Sequence, residues 1–110
     1  MANAYIEICT LIDMQRGTIA GPCQVSEVLA ISGTTATSTA VVTAAIASAG
    51  GVLLRVTTDD TACYLATGTT PDPTLTAPTA ASGARQYVGA GQTEYFAISQ
   101  GGKVAVKAVA

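Results

Sequence analysis

Apolar and polar side chains alternate with a period of two in several short stretches, the pattern of half-buried strands. Residues 5–12 read YIEICTLI, with Ile6, Ile8 and Thr10 on one face and Tyr5, Glu7 and Cys9 on the other. Residues 23–32, CQVSEVLAIS, predict a second strand with an irregularity near Glu27. Gln15-Arg16-Gly17 and Gly21-Pro22 punctuate the chain between them, and Pro22 is restricted to the start of a strand or a sheet edge. Gly33-Thr34-Thr35 predicts a turn. In residues 39–48, TAVVTAAIAS, Ala favours helix while Val41, Val42, Thr43 and Ile46 favour strand. No N-cap followed by Glu or Gln opens this stretch and no charge decorates a face, so it is read as a strand ended by Gly50-Gly51.

The second half alternates more cleanly. Residues 52–58, VLLRVTT, place Val52, Leu54 and Val56 on one face, and Asp59-Asp60 fits a turn because Asp bonds its own backbone there. Residues 62–66, ACYLA, predict the next strand. Residues 68–82 contain Pro71, Pro73 and Pro78 and cannot form a central strand, since three backbone donors are missing. Short strands follow at 85–88, 93–98 (TEYFAI) and 103–109 (KVAVKAV), separated by Gly89-Ala90-Gly91 and Gln100-Gly101-Gly102. Val104, Val106 and Ala108 fall inward in the last strand, and Lys103 and Lys107 are read as edge charges that discourage stray pairing. Seven to eight short antiparallel strands at this spacing predict an all-β fold: a single-domain β-sandwich over residues 1–110, jelly-roll or Ig-like.

Composition changes this picture in one respect. Hydrophobic residues make up 49% of the 110, but 21 of them are Ala, and Leu, Ile, Val and Phe together supply only 24. That stock is close to the lower limit for a folded chain, roughly 20%. A net charge of only −2 argues for folding, since disorder needs high net charge as well. The core is therefore thin, and burial against partners would add to its stability. Charged residues are 11% of the chain, against about 25% in an ordinary soluble domain. Seventeen Thr supply the polar surface instead. Such a surface loses water at little cost and suits a subunit packed into an assembly; a Thr-rich surface module is the alternative.

The charge pattern excludes several function classes. Arg16, Arg55, Arg85, Lys103 and Lys107 are scattered, without the clustered positive charge that phosphate backbones require, so no nucleic acid partner is expected. No segment approaches the ~20 apolar residues of a membrane span, so no membrane partner is expected either. Met1-Ala2-Asn3-Ala4-Tyr5 lacks the basic start and apolar run of a signal peptide, which predicts a protein made and kept in a cytoplasm. Three cysteines without a secretory signal predict free thiols at Cys9, Cys23 and Cys63, with a Cys9–Cys23 bridge as the alternative.

No catalytic constellation emerges. Histidine is absent, which removes the commonest general base. There is no G-x-S-x-G elbow and no phosphate-cradling loop with Lys. Asp59 and Asp60, even with Asp72, do not form a carboxylate dyad, because adjacent strand residues point to opposite faces. Calcium-loop spacing is absent, and neither CxxC nor His is available for zinc. The expectation is no enzyme activity and no cofactor or metal. Tyr5, Tyr64, Tyr87, Tyr95 and Phe96 are the whole aromatic set. Tyr64 and Tyr95 would serve a carbohydrate-binding surface, or else pack with their hydroxyls at the rim. The proline-stiffened loop loses little entropy on docking. It makes Pro71, Asp72, Pro73, Thr74, Leu75 and Pro78 the candidate partner contacts, together with Tyr5 near the N-terminus.

The order of elements in the second half resembles that of small virion structural proteins of tailed bacteriophages. The resemblance runs through Val52-Leu53-Leu54-Arg55-Val56-Thr57, then Asp60 to Gly68 with Cys63 and Tyr64 inside it. It continues through Thr70-Pro71-Asp72-Pro73-Thr74, Gly89-Ala90-Gly91, Glu94-Tyr95-Phe96 and Gly102-Lys103-Val104-Ala105-Val106. Ser26-Glu27-Val28-Leu29 adds a weaker match in the first half. About half the chain is covered. The resemblance implies a β-sandwich that decorates or cements a phage head, without enzyme activity. It further implies a dimer or trimer bound to the major capsid protein on the virion surface. A head–tail or tail adaptor, or a carbohydrate- or cell-surface-binding module displayed on the virion, is the alternative.

Overall fold

The computed structural model describes residues 2–14, 17–47 and 52–109. Among them are eight strands and one short helix: β1 (Asn3–Met14), β2 (Gly17–Ala30), β3 (Ala36–Thr37), α1 (Ala44–Ala47), β4 (Val52–Thr58), β5 (Cys63–Gly68), β6 (Gln86–Val88), β7 (Thr93–Ala97) and β8 (Lys103–Ala108). They form two four-stranded sheets, ordered β2-β1-β4-β7 and β3-β8-β5-β6, with every pairing antiparallel. The fold is an all-β sandwich, as the alternation predicts.

One buried cluster fills the space between the sheets. Ala4, Ile6, Ile8, Leu29, Leu54 and Val56 come from the first sheet and Cys63, Leu65, Val88, Val104 and Val106 from the second, with Ile31, Val42 and Ile98 closing the ends. These are the inward positions of the period-two pattern. Burying a Val, Leu or Ile side chain contributes about 1.5–3 kcal/mol, so this dozen or so residues holds the domain together.

Residues 39–47 are not a strand. Ser38 and Val42 instead tie this stretch to the second sheet, donating N–H groups to Val104 O (2.7 Å) and Gly102 O (3.0 Å). One helical turn follows at Ala44–Ala47. Thr43 caps it, its Oγ1 accepting the Ile46 N–H at 3.2 Å. The alanines at 44, 45 and 47 prefer helix, and only two β-branched residues, Thr43 and Ile46, remain beyond the bound segment. The end of that reading, at Ser48 and Gly50-Gly51, lies outside the described residues.

Glu27 anchors the same stretch. It pairs with Ile6 across the β1–β2 ladder, and its carboxylate accepts the Ala40 N–H (2.8 Å), the Thr39 N–H (3.1 Å) and the Thr39 hydroxyl (3.2 Å). Burial alone would raise the Glu27 pKa, but the donors from Ala40 and Thr39 outweigh it, and the carboxyl sits below its ordinary value. The irregularity expected near Glu27 lies earlier in β2 instead, between Ala20 and Val25, where register shifts fall between Ile8 and Cys9 and between Cys9 and Leu11 of β1. Gly21-Pro22 does not break the strand. β2 is an edge strand, and a residue beside a bulge on an edge tolerates a missing N–H. β8 lies inside its sheet, between β3 and β5, so Lys103 and Lys107 guard no edge.

Candidate interaction surfaces

The first strand pair is much longer than the sheet it belongs to. β4 pairs with β1 only from Ala4 to Thr10, whereas β1 and β2 stay paired out to Met14 and Gly17. Beyond Thr10 the two strands pair only with each other among the described residues, making a two-stranded arm. At about 3.3 Å per residue, the four residues 11–14 extend it roughly 13 Å past the sheet. The molecule is correspondingly long, 43 × 30 × 22 Å. The register sets Leu11 opposite Ala20 and Ile12 opposite Ile19. Gln15 and Arg16 of the expected turn lie outside the described residues, and Gly17 is the first residue of β2.

A disulfide closes the base of the arm. Cys9 and Cys23 face each other in the ladder, one row before β4 pairing ends, and are bonded with their Cα atoms 3.8 Å apart. Free thiols at these two positions are therefore corrected. The one-residue register shift between Ile8 and Cys9 brings Cys9 and Cys23 into line, and no spacing rule in the sequence displays a bulge. Cys63 is the free cysteine, buried in the core, where desolvation pushes its thiol up to about 11.

The outer face of the first sheet is a second surface. Antiparallel register aligns Val28, Tyr5, Thr57 and Thr93 in one row and Ser26, Glu7, Arg55 and Tyr95 in the next. Tyr5 is 44% exposed, Val28 53% and Tyr95 57%. Arg55 donates through Nε (2.8 Å) and one terminal nitrogen (2.5 Å) to Glu7 Oε1, and this bond raises the guanidinium pKa further. An ion pair so exposed adds little stability, but it balances the two charges on a face that also carries Tyr5 and Tyr95.

The loop between β5 and β6 is tied to itself. Thr70 N–H donates to Ala81 O (2.9 Å), Arg85 N–H to Leu75 O (2.8 Å), and Gly83 N–H to Thr67 O (2.9 Å) on β5. Asp72 accepts both the backbone N–H (2.9 Å) and hydroxyl (2.6 Å) of Thr74, which lower its pKa. Pro71 and Pro73 are buried. Ala66 and Ala105 are buried as well, on the strand faces turned away from the core, which places the loop over this side of the second sheet. Of the candidate contacts, Pro71 and Pro73 are thus the buried ones in the single chain. Thr74 and Pro78 are exposed, and Asp72 and Leu75 are half-buried. Tyr5 stands on the other sheet, so the structure does not gather these candidates into one patch. Tyr64 and Tyr95 are likewise on different sheets.

Beside this loop Arg85 stacks on Tyr64, its guanidinium carbon 4.1 Å from the ring centroid, and Tyr87 meets Tyr64 edge-on at 6.2 Å. Sequence reading missed Arg85, because nothing in the spacing shows that the loop returns to lay it on Tyr64.

Comparison with known proteins finds no matching family model, no matching characterised protein and no matching solved structure. Among the described residues no three His, Cys, Asp or Glu side chains cluster as a metal site, and no helix is long and apolar enough to cross a membrane. Asp59 and Asp60 occupy the bend after β4. Asp59 Oδ2 accepts the Asn3 N–H (2.8 Å) and Asp60 Oδ1 the Thr61 hydroxyl (3.2 Å), local bonds that hold the chain in place.

Proposed function

We propose that this protein is a non-enzymatic subunit of a protein assembly, and that the assembly is the head of a tailed phage. There it acts as a decoration, or cement, protein on the virion surface, as a dimer or trimer bound to the major capsid protein. The arm formed by residues 11–14 and 17–20 is the observation that supports this reading best. An isolated two-stranded ribbon is marginal in water, and this one carries Leu11, Ile12, Met14 and Ile19. Docked against a neighbouring subunit, the ribbon acquires the support it lacks. The outer face of the first sheet offers further contact area. A stable joint buries on the order of 1,000 Å² or more, and repetition around a closed shell multiplies a modest local affinity.

The test compares heads assembled with and without this protein under heat and osmotic shock. The proposal expects the undecorated shells to rupture at lower temperature and milder shock. Equal integrity of the two would remove the cementing role.

A further inference from the structure

Two of the chain's five basic residues, Arg85 and Lys107, line one shallow pocket of about 380 Å³ on the outer side of the second sheet, together with Tyr64, Pro73, Thr74 and Val109. We propose that this pocket binds a carboxylated sugar, such as a uronic acid unit of an acidic polysaccharide. This is independent of the arm and of the assembly reading.

The geometry is that of a prepared anion site. Register sets Tyr64 between Lys107 on β8 and Tyr87 on β6, so all three stand on one face. Arg85 lies over the Tyr64 ring, its guanidinium carbon 4.1 Å from the centroid, and a cation held against a ring face keeps N–H donors for a ligand. The one ion pair among the described residues is Arg55–Glu7, so neither Arg85 nor Lys107 is neutralised that way. The nearby carboxylate is Asp72, which acts on Lys107 but is already bonded to both donors of Thr74. Among the described residues, two cations face one carboxylate there, on a chain of net charge −2.

The aromatic neighbour distinguishes a sugar from a bare anion. Tyr87 is 62% exposed, the most exposed large apolar side chain among the described residues, and it adjoins the pocket through its edge contact with Tyr64. A pyranose ring has an apolar face that stacks on such a ring while its carboxylate meets Arg85 and Lys107 and its hydroxyls meet Thr74. The volume fits the small end of ligand pockets, from about 300 Å³. A phosphate group, by contrast, is held by several converging donors and gains nothing from the tyrosine.

The test titrates the full chain with tri-galacturonic acid and, in parallel, with neutral maltotriose, following backbone amide shifts. Shifts clustered at Gly33, Tyr64, Thr74, Arg85, Tyr87 and Lys107 with the acid, and about tenfold weaker binding of maltotriose, are expected. Arg85→Gln and Tyr87→Ala each weaken the acid by about tenfold without changing the melting curve, both residues being exposed. Asp72→Asn, which keeps an acceptor for Thr74, tightens binding. No shifts with the acid, shifts elsewhere, or equal binding of maltotriose would overturn the proposal. So would sodium acetate matching the trisaccharide, which would leave a simple anion site.

Discussion

Cys9 and Cys23 stand opposite each other across the first strand pair and are joined by a disulfide, one row before the arm leaves the sheet. The bridge closes a sequence separation of 14 residues. In the chain-entropy account a loop of that size contributes about 3 kcal/mol. Cys9→Ser or Cys23→Ser, or reduction of the native protein, should lower the unfolding free energy by about that amount in a denaturant titration. Equal stability with and without reductant would show that the bridge contributes nothing.

Glu27 makes stability depend on acid. Its folded pKa is depressed below 4.5, so its contribution is complete above 4.5 and fades as pH falls through the folded value. Glu27→Gln should flatten the acid limb of the stability curve. Glu27→Ala, which removes three hydrogen bonds that hold Thr39 and Ala40, should cost about 1–3 kcal/mol at neutral pH.

Gly68 is where the loop presses on β5. A Cβ at this position would run into the Ala81 carbonyl oxygen and lie 2.8 Å from the Ser82 Cα, both backbone atoms. Gly68→Ala should destabilise by about 1–3 kcal/mol and weaken protection of the Thr70 and Gly83 amides in hydrogen exchange.

Cys63 should behave as an inert core residue. Burial lifts its thiol from 9.0 to about 11, so the folded state resists ionisation, and stability should decline as pH rises above 9.0 through that range. Alkylation of Cys63 at neutral pH should proceed only at the rate of unfolding.

The strands after Val52 are legible in the sequence because each alternates strictly between glycine or proline stops, and Leu54, Val56, Val104 and Val106 fall inward as the pattern requires. The arm is not legible: Thr10 to Pro22 breaks alternation, and its pairing is sustained by bulges and a cross-strand bond between residues 14 apart. Residues 39–47 mislead because Val41 and Val42 look like a strand, while the acceptors that settle their conformation are the Glu27 carboxylate and the Val104 and Gly102 carbonyl oxygens. Prolines mark the 68–82 loop as irregular but carry no information about which way it folds, so the sequence does not show that Pro71 and Pro73 are buried while Thr74 and Pro78 are exposed. Arg85 on Tyr64 is a contact between residues 21 apart along the chain and leaves no local mark.

The proposed assembly role depends on the arm. Replacing residues 12–19 by a two-residue turn removes the part of the hairpin that lies outside the sheet and spares the sandwich core. The decisive measurement is the number of copies retained per head when purified phage heads are saturated with native or shortened protein and washed. The account predicts near-full occupancy for the native chain and a loss of at least about tenfold for the shortened one at matched concentration, with the shortened protein melting as a folded domain. Equal retention of the two forms would contradict it.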